Sequence, residues 1–109
     1  MKTVIMQAGS PITKKYYALT LVPPRPTFAM DMTTEERNIM QQHVAYWMQL
    51  MNQGKVIVFG PVLDPAGPYG LGVICAEDDE DVKSFMANDP ANGLNTYIWH
   101  PMKAVVPEK

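Results

Sequence analysis

Six runs of residues, ordered strand, helix, strand, strand, helix, strand, predict an α+β domain built on a four-stranded antiparallel sheet. Three observations carry this expectation. Strand-length runs are rich in aromatic and aliphatic residues, and two other segments carry apolar residues at helical spacing. A short turn dense in proline and glycine joins the middle two strands as a hairpin.

The first strand is Lys15 to Val22, KYYALTLV, and it stops at the Pro23-Pro24 pair. The loop that follows, PPRPTFAMDM, opens with three prolines within four residues, so it is expected to be stiff and extended with Arg25 held in one direction. TTEER supplies a threonine N-cap, with Glu35 and Glu36 in the first turn, where carboxylates meet the positive end of the helix dipole. A helix from about Thr34 to Asn52 follows, and Gly54 ends it in the usual place for a left-handed C-cap. KVIVFGPV reads as the second strand, DPAGPYG as a turn, and LGVICAE as the third strand, apolar almost throughout and so buried. EDDEDVKSFMAND places acids at a helix start and Val82, Phe85 and Met86 along one helical face, with Pro90 ending it. The last strand lies near Asn95 to His100 and continues past Pro101, which implies an edge position or a bulge. This is the ferredoxin-like β-α-β-β-α-β order, with two helices on one face of the sheet. Because the strands are apolar on both faces, the opposite face needs a cover, and a homodimer formed sheet to sheet supplies one.

At 109 residues, 47% hydrophobic and 18% charged, the chain fits a single globular domain. Its expected span is 14–107, with residues 1–13 a separable leader that is either an extra strand or flexible. The net charge of −2 and the scattered Lys and Arg lack the basic stripe of a nucleic-acid binder. The apolar run before Gln7 is too short for a secretory signal, and no segment approaches the roughly 20 apolar residues of a membrane span. Cys75 is the only cysteine, so no intrachain disulfide can form, and a cytoplasmic location is expected. Nine methionines suit adaptable core or interface packing.

Within the longer helix, Ile39, Met40, Val44, Trp47, Leu50 and Met51 form an apolar stripe, and His43 falls near its middle. A buried imidazole is either a core residue satisfied by a neighbour or an acid–base group, and a carboxylate partner decides between them. Asp89, in ANDPANG, is the candidate, because an aspartate at a helix C-terminus is disfavoured by the dipole and its position asks for a reason. Asp-Pro also initiates turns, and that reading is stronger for Asp64 in LDPAG. Arg25 could bind a carboxylate or phosphate, and His100 could face the same cavity as His43 if it points inward. Asp31 reads as a cap for the nearby turn. The sequence has no zinc-ligand spacing, no phosphate-binding glycine loop and no nucleophile elbow, so no metal or cofactor is expected.

HVAYWMQLMNQGKVIVFGPV, the DPAGPYGLGVI hairpin, ANDPANG and the closing YIWHPMKAV resemble the YCII-related proteins, small ferredoxin-like domains of the dimeric α+β barrel class. The resemblance spans roughly residues 15–106; its most specific parts are His43, eleven residues before Gly54, then Gly60-Pro61 and Asp89-Pro90. It implies a homodimer, which could assemble further, with His43 and Asp89 as a catalytic pair acting on a small molecule in a pocket of each subunit. One branch of the family removes hydrogen chloride from a chlorinated hydroxyquinol, so a lyase or dehydrochlorinase-like activity on a small polar or aromatic substrate is the leading expectation. Arg25, Asp64 and His100 are then candidates for orienting the substrate. The short ANGLNTY segment and the long PPRPTFAMDM loop depart from the common pattern. The alternatives are a non-catalytic metabolite-binding domain and a haem or metal site in which one histidine is an axial ligand.

Overall fold

The computed structural model describes residues 15–107. Strand β1 (Lys15–Val22) leads through a single helical turn, α1 (Phe28–Asp31), into the long helix α2 (Thr34–Asn52). Strands β2 (Val56–Val62) and β3 (Tyr69–Ala76) form the hairpin, helix α3 (Asp79–Ala87) follows, and β4 (Thr96–Met102) completes the sheet. Every neighbouring pair is antiparallel, in the order β2-β3-β1-β4. This is the expected ferredoxin-like arrangement. Pro61 and Pro101 lie on its two edge strands, where a missing N–H costs least.

The ends of α2 follow from local chemistry. Thr33 accepts from the Glu36 N–H at 3.1 Å while the Glu36 carboxylate accepts from the Thr33 N–H at 2.9 Å, a reciprocal capping box. At the other end Gly54 has φ +83°, and the Gly54 and Lys55 N–H groups donate back to Met51 and Leu50. These are the two bonds of a Schellman motif, which a residue with a Cβ makes only under strain. Helix α3 is capped by Asp78, which accepts from the Asp81 N–H at 2.9 Å.

The expectation of an extended PPRPTFAMDM loop needs correction, because Phe28–Asp31 closes into the turn α1. The prolines end before it, and Phe28, 5% exposed, supplies the apolar contact that holds the turn against the domain. A leader over residues 1–13 lies outside the described residues.

Sheet register decides which side chains meet the helices. Tyr17, Leu19 and Leu21 of β1 point to the helix side, and their partners there are Ile74, Gly72 and Gly70 of β3 and Pro101, Trp99 and Tyr97 of β4. Tyr17, Leu19, Trp47, Ile74, Val82 and Phe85 are the centre of the core, and fully burying a side chain such as Val82 contributes about 1.5–3 kcal/mol. Phe85 meets the Trp47 ring edge-on, with centroids 4.8 Å apart. The other sheet face is open: Val58, Leu71, Ile98 and Met102 are 41–57% exposed on it. Among the described residues, no helix is long and apolar enough to cross a membrane.

Candidate functional site

Helix α3 stops at Ala87, and the next turn is built by Asp89 itself. Its carboxylate accepts from the Ala91 N–H at 2.8 Å and its carbonyl from the Asn92 N–H at 3.0 Å. These bonds turn the Asp89 side chain towards α2, where it is 3% exposed. His43 and Trp47, one helical turn apart on the same face of α2, both reach it. His43 Nδ1 lies 2.8 Å from Oδ2 and 3.0 Å from Oδ1, and Trp47 Nε1 donates to Oδ2 at 3.0 Å. Tyr97, on the helix side of β4, donates its hydroxyl to Oδ2 as well.

Burial alone would raise the Asp89 pKa. Hydrogen bonds from His43, Tyr97 and the Ala91 N–H outweigh it and hold the carboxyl below its ordinary value. Desolvation, followed by the Asp89 charge, pushes the Tyr97 phenol far above the ordinary tyrosine range, so it keeps its proton and stays a donor. Burial and the same carboxylate raise Tyr46 to about 12. An ionised carboxylate only accepts, so His43 Nδ1 carries the hydrogen between them. Among the described residues, Nε2 has no hydrogen-bond partner.

His43 borders a cavity of about 240 Å³ between α2 and the sheet, walled chiefly by Leu19, Phe28, Met40, Trp47, Phe59 and Tyr97. Since a cavity of about 150 Å³ admits benzene, this one has room for a single substituted ring. Among the described residues, Asn95 is the other polar side chain that is buried and on the wall. Among the described residues, no three His, Cys, Asp or Glu side chains converge as a metal site would require.

Gly72 is what lets Trp47 reach Asp89. A Cβ built there would lie 2.3 Å from Trp47 Cζ3 and 2.6 Å from Cη2, too close for the indole to keep its place. Gly72→Ala is expected to displace the ring, cost about 1–3 kcal/mol from overpacking, and shift the Trp47 indole N–H resonance away from its hydrogen-bonded position. An unchanged resonance would mean that the sheet moves instead of the indole.

The sequence-derived candidates part company here. His43 and Asp89 are brought together, although 46 residues separate them. Arg25 is turned away from the cavity: its guanidinium grips both Glu36 oxygens, at 2.8 and 3.0 Å, and Asp31 Oδ1, at 2.8 Å. Those two carboxylates hold its pKa far up, and the guanidinium stacks over Phe28, so Arg25 braces α1 onto α2. Asp64 is exposed and accepts from the Ala66 N–H at 2.9 Å, a turn bond like that of Asp89 without the burial. His100 is exposed on the sheet face away from the helices. None of the three is on the cavity wall. Asp31 accepts from the Thr27 hydroxyl at 2.7 Å and so closes the turn. Sequence reasoning overlooked Trp47 as a donor, Tyr97 and Asn95. The helical spacing of His43 and Trp47 was a usable signal for the first, and nothing local marks the other two.

A family model described as the YCII-related domain matches residues 16–103. No curated protein matches the chain. Among solved structures, one similar protein is 5-chloro-2-hydroxyhydroquinone dehydrochlorinase from Burkholderia phenoliruptrix, in complex with 2,5-dihydroxybenzoquinone. It is 25% identical, with a TM-score of 0.58, and the match covers 80% of this chain and 93% of that one. Another is an uncharacterised protein from Thermotoga maritima, 13% identical with a TM-score of 0.51, covering 83% of this chain and 99% of that one, a likeness of fold alone.

Proposed function

This chain belongs to the YCII-related family, and from that premise we propose that it is a small-molecule enzyme in which His43 is the acid–base group and Asp89 sets its tautomer. The observation that carries the reading is the buried His43–Asp89 bond at 2.8 Å, which commits Nδ1 and leaves Nε2 for the ligand. The proposed reaction is an elimination, of lyase or dehydrochlorinase-like type, on a small hydroxylated aromatic. The substrate reacts as its keto tautomer, in which one hydroxyl proton has moved to the ring carbon that bears chlorine. Nε2 accepts the proton of a second hydroxyl, whose O–H electron pair becomes a carbonyl π bond; the ring double bond shifts onto the chlorine-bearing carbon, and chloride departs with the C–Cl pair to leave a quinone. The 25% identity to a dehydrochlorinase supports that choice.

The experiment is a screen of chlorinated, hydroxylated single-ring aromatics for chloride release and product formation. Release that requires His43 is the expected result. A compound that raises the melting temperature but is recovered unchanged would identify a metabolite-binding domain instead.

The reading includes a homodimer in the cytoplasm. Val58, Leu71, Ile98 and Met102 form an apolar surface on the open sheet face, of the kind a second copy covers. Leu71→Lys combined with Ile98→Lys is expected to halve the mass seen by sedimentation at micromolar concentration. A wild-type monomer, or a dimer that tolerates both charges, would rule out this interface.

A further inference from the structure

Taking the acid–base reading of the His43 cavity as its premise, we propose that Asn95 is a substrate-binding residue whose carboxamide holds a neutral oxygen substituent of the ring. Asn95 is 5% exposed and lies on the same cavity wall as His43. Its backbone is already used: its N–H donates to the Ala91 carbonyl at 3.0 Å and its carbonyl accepts from Gly93 at 3.3 Å. The side chain is not spent on that turn. Among the described residues, Nδ2 donates only to the Met40 thioether, at 3.4 Å, and a thioether is a weak acceptor. Among the described residues, no donor reaches Oδ1. A buried carboxamide with one weak partner is unusual, because buried polar groups are normally paired.

Its surroundings specify what it would pair with. Met40 and His43 are three residues apart on α2, so the contact with Met40 sets the carboxamide beside the row that carries the imidazole. Tyr97 on the same wall has its hydroxyl committed to Asp89. The described residues of the wall include no Lys or Arg, and the ionised Asp89 lies behind His43. An anionic group would find no Lys or Arg there to pair with. A hydroxyl or carbonyl oxygen fits instead, since the carboxamide can donate to either and can accept from a hydroxyl. Asn95 would therefore select uncharged, oxygen-bearing rings and fix their rotation relative to His43 Nε2.

The test uses the full chain and two ring probes, hydroquinone and chlorobenzene, titrated by NMR into wild type and Asn95→Leu, a near-isosteric change. Hydroquinone is expected to bind the variant on the order of five- to tenfold more weakly, with chlorobenzene unchanged or tighter. The unliganded variant is expected to melt higher, because it no longer buries an under-paired amide. In wild type, intermolecular NOEs should join the hydroquinone ring protons to the Asn95 Nδ2 protons, a readout that does not depend on the variant folding. The proposal is overturned by no hydroquinone binding to wild type, by equal losses for both probes, by missing NOEs, or by a lower melting temperature, which would make Asn95 a structural brace. Neither probe needs to be turned over. Asn95-dependent binding without activity in any assay would keep this anchor and remove the acid–base chemistry.

Discussion

Turnover in the His43→Gln variant is expected to fall by about 10²–10⁴, the usual contribution of a positioned acid–base group. Glutamine can still donate an N–H towards Asp89, so the buried carboxylate keeps a partner at that position. Alanine would remove it, at about 1–3 kcal/mol for the donor lost, and would confuse loss of chemistry with loss of fold. The informative comparison is therefore chloride release against melting temperature in His43→Gln. A fall in rate with a near-native melting temperature is the expected pair of results. Full activity in a folded variant would remove the imidazole from the chemistry and leave it as a polar core residue. Nitrogen-15 shifts of the wild-type imidazole give an independent check, with the hydrogen expected on Nδ1 in the unliganded protein.

Asp89→Asn should have the largest effect on stability. Four donors converge on this carboxylate, from His43, Trp47, Tyr97 and the Ala91 backbone. An amide presents one oxygen and one NH₂ group, so at least one of those donors would face another donor. The cost is expected to be on the order of 3 kcal/mol, and the imidazole would no longer be held in one tautomer, a change that at a comparable position lowers rates by about 10⁴. Acid denaturation supplies a second measurement. The Asp89 pKa is lower in the folded than in the unfolded state, chiefly because bonds from His43 and Tyr97 outweigh burial. The unfolded chain thus binds the proton more readily. The stabilisation is fully present above the unfolded value, about 3.9, and is lost as pH falls through the folded value. Stability of Asp89→Asn should accordingly depend less steeply on pH below 4. An equal slope in both proteins would show that the carboxylate contributes nothing to the acid transition.

The legible parts of this protein are those that neighbouring residues decide. Thr33 and Glu36 are three apart, and their reciprocal bonds mark a helix start wherever they occur. Gly54 marks its end because only glycine enters the left-handed region freely. The short turn α1 is hidden because prolines dominate that loop, while the burial of Phe28, 5% exposed, is a property of the folded chain.

The two Asp-Pro dipeptides draw the dividing line. Locally they are alike, since each aspartate accepts from the N–H two residues on, at 2.9 Å in Asp64 and 2.8 Å in Asp89. The sequence by itself determined the order of the four strands and the two longer helices, the ends of those helices and both Asp-Pro turns, because those depend on hydrogen bonds and dihedral preferences spanning a few residues. Only the tertiary structure decided that Asp89 is buried against His43, Trp47 and Tyr97 while Asp64 stays in solvent, that Arg25 is spent on Asp31 and Glu36, and that His100 faces away from the helices. The physical reason is that burial and pairing are set by how whole elements pack: His43 and Trp47 meet Asp89 across 46 and 42 residues because α2 and α3 lie side by side on the sheet, Arg25 meets Glu36 because α1 folds back on α2, and Gly72 permits the close approach of Trp47 only once β3 is paired beneath it.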